Sequence, residues 1–162
     1  MPEHDTDPRQ QFDAVEELLT RWLRERRELL GKYTGIVVAL DGVAPEGSFE
    51  ARQQALCDVL VDYVSAGHFE VFSELLNEAE TFADGSEQLA EQLIPAIADT
   101  TDVILAYEEK YGNGEPVSPG LERDLSALGE ILESRFVLED RLIAGLHGRH
   151  RRLVRDQAPG AG

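Results

Sequence analysis

The chain predicts an all-α fold: a single antiparallel helical bundle with a long N-terminal helix, a bent central helix pair and a long C-terminal helix. Three observations predict it. Apolar residues recur every third or fourth position through long stretches, no stretch alternates apolar and polar residues between hairpin turns, and Gly, Pro, Asp and Ser gather at the boundaries of the periodic segments. Helices that carry one apolar stripe bury it by packing against each other around a common core.

From Pro8 to about Tyr33, residues Phe12, Val15, Leu18, Leu19, Trp22, Leu23, Leu29, Leu30 and Tyr33 fall at helical spacing. The second half of this helix is basic through Arg21, Arg24, Arg26, Arg27 and Lys32, which suits the helix dipole and supplies partners for acids on a neighbour. Asp41 to Gly47 reads as a loop. Ser48 is a cap and Glu50 a first-turn acid for a helix running to about Ala66, where Gly67 is a stop or bend signal. Residues 68 to 83 follow as a shorter helix. Asp84-Gly85-Ser86 is a turn ahead of a capped helix that Pro95 kinks or restarts before Thr100 to Tyr111. Tyr111-Gly112-Asn113-Gly114-Glu115-Pro116 is the clearest loop, after which Ser118 and Pro119 offer a cap and a first-turn proline for the last long helix, to about Leu146. One helical-bundle domain over residues 8–150 is expected between a flexible N-terminus (1–7) and a disordered basic tail (151–162).

The 162 residues carry 32 acids against 15 Lys and Arg, a net charge of −17. Such a charge repels phosphate backbones and argues against direct nucleic-acid binding. Residues 50–134 hold 19 acids and 3 bases, a net of −16, whereas residues 145–162 hold Arg149, Arg151, Arg152 and Arg155 against Asp156 alone. The acidic middle suits a basic partner; equally, charge of this kind serves solubility. The longest apolar run, Gly35 to Leu40, falls far short of a membrane span. Met1-Pro2-Glu3-His4-Asp5 lacks the basic-then-apolar order of a secretion signal, and the lone Cys57 precludes an internal disulfide, so a cytoplasmic location is expected.

Catalytic and metal chemistry finds little footing. A carboxylate-bridged metal pair in a bundle needs Glu-x-x-His twice, and the chain has none. His147-x-x-His150 sits at an arginine-rich end expected to fray, without a third ligand, and Cys57 lies on an apolar helix face without a base beside it. No phosphate-cradling glycine loop or nucleophile motif occurs. The expectation is a non-enzyme with no cofactor.

The most informative stretch is Leu60-Val61-Asp62-Tyr63-Val64-Ser65-Ala66-Gly67-His68-Phe69-Glu70-Val71-Phe72. If residues 58–69 stay helical, spacings of 4, 3 and 4 set Asp58, Asp62, Ser65 and Phe69 on one ridge beside an apolar ridge of Cys57, Leu60, Val61 and Val64. A polar ridge ending in an aromatic is a docking surface. The other reading leaves Asp58 and Asp62 solvated and puts Phe69 in the core. His68 admits an alternative function, a helical phosphotransfer or phosphocarrier-linked signalling domain, although Glu70 two positions on repels phosphate. In the last helix Arg135 and Glu139 interrupt the stripe of Leu128, Leu132, Leu142 and Leu146. Four apart, they meet either as a buried pair or at the rim of a slightly rotated helix.

Two blocks carry a family resemblance: Leu60 to Phe69, and Leu132-Glu133-Ser134-Arg135-Phe136-Val137-Leu138-Glu139-Asp140-Arg141-Leu142-Ile143. With a third, Arg21-Trp22-Leu23 followed by Arg26, Arg27 and Leu29-Leu30, they lie in order across about residues 15 to 147, and the chain resembles the Rsd/AlgQ family, regulators of sigma D. The resemblance implies an anti-sigma protein that binds the primary (vegetative) sigma factor of bacterial RNA polymerase at region 4, a basic helix-turn-helix module, as a monomer or weak homodimer. The position of Asp62 matches the family acid expected to face a basic side chain of region 4, with Ser65, His68 and Phe69 in the same block. Asp58 joins them from the helical ridge alone. For Trp22, Arg135 and Glu139, core and contact roles are both open.

Overall fold

The structure, a computed structural model, describes residues 7–40, 49–112 and 119–156. Helix α1 (Pro8–Leu40) runs past the end expected at Tyr33. Ile36 explains this extension: it is fully buried, and burying an isoleucine contributes about 1.5–3 kcal/mol, against a few tenths lost by placing β-branched residues in a helix. Gly31, exposed in the middle of α1, has open space where a side chain would go. Gly31→Ala should therefore raise the unfolding free energy by about 0.5–1 kcal/mol in urea titrations, through helix propensity alone.

Helix α2 (Phe49–Ala66), a π turn (Gly67–Val71) and α3 (Phe72–Phe82) follow without a break. Gly67 was expected to stop or bend the chain, yet Ala66, Val71 and Phe72 on either side of it keep right-handed helical dihedrals. Its role is close approach: a Cβ there would lie 3.2 Å from Trp22 Cζ2 and 3.4 Å from Phe72 Cζ, so a side chain would have to displace these rings by a few tenths of an ångström. The π turn inserts one residue into the helical ladder, which re-phases the side chains after it.

Helix α3 ends on Ala83, whose left-handed φ of 49° leads with Gly85 (φ 84°) into the expected turn. Ser86 precedes helix α4 (Glu87–Tyr111) without capping it; its hydroxyl donates instead to Asp84 Oδ1 at 2.6 Å. Pro95 neither ends nor restarts α4. It is exposed, so its missing N–H falls on the side where water satisfies the freed carbonyl. Pro119 and Gly120 form a turn outside helix α5 (Leu121–Ile143), where a first-turn proline was expected. The chain then continues through a second π turn (Ala144–Gly148) into α6 (Arg149–Asp156), beyond the expected end at Leu146 and into residues expected to be a disordered tail. The loops expected at 41–47 and 113–116 and the caps at Ser48 and Ser118 lie outside the described residues.

Helix α1 packs on α2, α4 on α5, and α2 also meets α4, around a core that includes Trp22, Tyr63, Leu75, Ile97 and Leu132. Among the described residues there is no strand, and no helix long and apolar enough to cross a membrane.

Candidate partner-binding surface

The five residues singled out from the sequence lie on α2 and the first π turn, with unequal exposure. Asp58 and Asp62 are exposed, Ser65 and His68 are half-buried, and Phe69 is 82% exposed. Keeping a phenylalanine in water forgoes about 1.5–3 kcal/mol, and three residues on, Phe72 is buried against Trp22 with ring centroids 5.8 Å apart. The question of whether Phe69 is core or surface is thus answered as surface.

Electrostatics extends this face onto α1. The carboxyl of Glu25 is held above the usual carboxylate range, first by partial burial and then by the negative fields of Asp62, Glu70 and Glu28, against which Arg21 acts weakly. Asp62 and Glu70 make no hydrogen bond or ion pair among the described residues. Asp58 accepts a bond from Gln54 Nε2 at 3.0 Å. The result is a group of acids shared by α1, α2 and the first π turn, with the exposed Phe69 next to Glu70 in the chain. Sequence reasoning missed Glu25, because nothing in the chain indicates which residue of α1 lies opposite Asp62. Glu70 was legible as part of the same run.

Behind the surface lies the Arg135–Glu139 pair, and the structure decides between the two readings of it: both residues are fully buried, with Arg135 Nε donating to Glu139 Oε2 at 2.7 Å. Tyr63 hydroxyl and Arg26 Nη1 donate to Glu139 Oε1, and Arg26 Nη2 reaches Asp140 at 2.8 Å. Burial pushes Glu139 upward, opposed by Arg135, Tyr63 and Arg26; burial likewise raises the Tyr63 phenol. Trp22 stacks on Tyr63 (4.8 Å) and donates through Nε1 to its carbonyl at 3.2 Å, which makes Trp22 core.

This network reaches the surface through one side chain. Arg135 Nη1 donates to Thr101 Oγ1 at 2.7 Å, and Thr101 Oγ1 lies 3.1 Å from His68 Nε2. Burial, and then the Arg135 charge, lower the His68 imidazole. His68 is the residue next to Phe69, and its ring edge meets Phe72. With its Nε2 engaged and the exposed Glu70 close behind, nothing in this arrangement favours phosphotransfer. Two shallow grooves of about 190 and 210 Å³, between α4 and α5 and between α1 and α5, contain none of the five residues.

His147 and His150 also depart from expectation. They are not at a frayed end but buried against Glu78, and among the described residues no group of three or more His, Cys, Asp or Glu is arranged to hold a metal ion.

A family profile described as "Regulator of RNA polymerase sigma(70) subunit, Rsd/AlgQ" matches residues 1–147. A regulator of sigma D from Yersinia pseudotuberculosis serotype O:1b is 32% identical over 142 residues, covering 83% of this chain and 82% of the relative. Another from Salmonella arizonae is 36% identical over 141 residues, covering 78% and 79%. No solved structure gives a significant match. This all-helical bundle, matched by the family profile over most of its length, belongs to the Rsd/AlgQ family of regulators of the RNA polymerase sigma(70) subunit.

Proposed function

We propose that the chain binds the primary sigma factor of RNA polymerase at region 4 through Asp58, Asp62, Ser65, His68 and Phe69, and so withholds it from core polymerase or from promoter DNA. The observation that carries this reading is Phe69, an aromatic 82% exposed and next in the chain to Glu70, an acid that with Asp62 acts on Glu25 of α1. Binding hot spots take this form: an aromatic anchor to be desolvated, with charges around it. Region 4 is basic because it reads DNA, so opposite charge steers it onto this face and like charge steers phosphate away. The protein acts by occupying a surface and not by catalysis.

Titration of the full chain with purified region 4 tests this. Wild type should bind at moderate salt, more weakly as salt rises, and Asp62→Ala should cost about 1–3 kcal/mol. Absence of wild-type binding would end the proposal. The sign of the pH dependence follows from Glu25. A basic side chain seated beside it lowers a carboxyl that the free protein holds high, so binding releases a proton and affinity falls as pH drops through the carboxylate range.

A further inference from the structure

Helix α4 runs beside the proposed partner surface. Two contacts set it against α2 in antiparallel order: Thr101 Oγ1 lies 3.1 Å from His68 Nε2, and a Cβ on Gly112 would lie 3.4 Å from Cys57 Cβ. Leu105 falls between these two points. It follows Thr101 by one helical turn, about 40° round the axis, which keeps it on the flank of α4 that meets α2. Even so it is 39% exposed, whereas the preceding Ile104 is fully buried. Val103, 42% exposed, is about 160° round the helix from Leu105 and lines the groove between α4 and α5, so the two exposed side chains open on opposite flanks. Alongside Leu105, α2 presents Val61, one turn after Cys57, and Ser65, three residues before His68, both half-buried.

Charge on this side of α4 is of one sign. Asp102 and Glu109, three residues before and four after Leu105, are exposed and make no hydrogen bond or ion pair among the described residues. Those spacings keep both carboxylates on the face of Leu105. The one base of α4, Lys110, lines the α4–α5 groove and is taken there by Asp124 at 2.7 Å. On the α2 side Asp58 is exposed, and burial followed by the fields of Glu108 and Asp58 pushes the Cys57 thiol up to about 12, which sets acids of both helices about that end of the seam. An apolar strip edged on both sides by carboxylates is the complement of a helix with one apolar stripe and basic flanks.

We infer that the seam of α2 and α4 seats one basic amphipathic helix of the sigma partner, with Leu105 as its apolar anchor on α4 and Asp102 and Glu109 pairing with its flanking Lys or Arg side chains. The inference rests on the sigma reading above and adds α4 to a surface that reading confined to α2 and the first π turn.

Calorimetric titration of the full chain and its variants with purified region 4 tests this, with urea midpoints measured alongside so that affinities are compared between folded proteins. Leu105→Ala should weaken binding about 5- to 30-fold, by the same factor at low and at high salt. Asp102→Asn/Glu109→Gln should weaken it at low salt and converge on wild type at high salt, because screening removes exposed ion pairs first. Val103→Ala, on the other flank of the same helix, should bind within about twofold of wild type. If wild type binds and Leu105→Ala binds equally well, α4 lies outside the interface: the seam proposal fails while the sigma reading stands. Equal losses in Leu105→Ala and Val103→Ala also overturn it, since that pattern belongs to the helix as a whole and not to one flank. A wild type that binds no region 4 ends the sigma reading and this inference together. Asp102 and Glu109 are exposed, so their double variant decides the matter even where Leu105→Ala is destabilised, and unchanged low-salt affinity in it overturns the proposed pairing.

Discussion

Arg135→Ala should lower the unfolding free energy by about 3–5 kcal/mol, read as the shift of the urea midpoint at constant slope. The substitution removes the main cation beside Glu139 and leaves a fully buried carboxylate with the Tyr63 hydroxyl and a 3.4 Å contact to Arg26. It also strips Thr100 and Thr101 of their donor. Against a total stability of about 5–15 kcal/mol for an ordinary domain, the variant stands near the edge of folding. Its loss should depend on pH with a definite sign. A carboxyl raised in the fold above its value in the unfolded chain, about 4.3, costs stability when ionised, so the variant should be relatively less damaged at pH 5 than at pH 8. Replacing the pair together, as Arg135→Met with Glu139→Leu, should recover most of the loss, since two matched apolar side chains leave no charge behind. If Arg135→Ala unfolds at the wild-type midpoint, the pair does not hold the core as described.

Phe69→Ala should do the reverse. With the ring 82% exposed, its removal should change unfolding free energy by no more than about 0.5 kcal/mol. Binding to region 4 should nevertheless fall by about 2–4 kcal/mol, a loss of roughly 30- to 1,000-fold in affinity, because the aromatic anchor of the proposed interface is gone. Calorimetric titration of the folded variant reads this without interference from unfolding. Unchanged affinity would mean that the exposed ring is not the anchor, even if region 4 binds elsewhere.

The two variants also mark how much the sequence makes legible. The 3.6-residue recurrence of apolar residues specifies helices from Phe12 to Leu146, and boundaries fail where a contact distant in sequence outweighs a local signal. Helix α1 continues through Ile36 because that side chain is buried, although a stretch containing Gly35, Ile36, Val37 and Val38 is a poor helix former by itself. Gly67 carries the local signature of a stop and acts as a gap for Trp22. His147 and His150 look like a solvated end because Glu16, Glu78 and Asp84 are more than 60 residues away along the chain. Periodicity carries no information about such partners.

What the sequence determined alone is the class of fold, the net charge of −17 and the helical order of Asp58, Asp62 and Ser65 along α2. These follow from local spacing and composition, since side-chain direction along a helix repeats with the backbone. The tertiary structure decided the rest: that Phe69 faces water while Phe72 faces Trp22, that Glu25 of α1 completes the acidic face, and that Arg135 and Glu139 lie in the core with a link through Thr101 to His68. A helix's own sequence defines its apolar stripe only to within a fraction of a turn. Which charged residue at the edge of that stripe ends inside is settled by what the neighbouring helix places opposite it, and here α1 and α4 offer Arg26, Thr100 and Thr101 as partners.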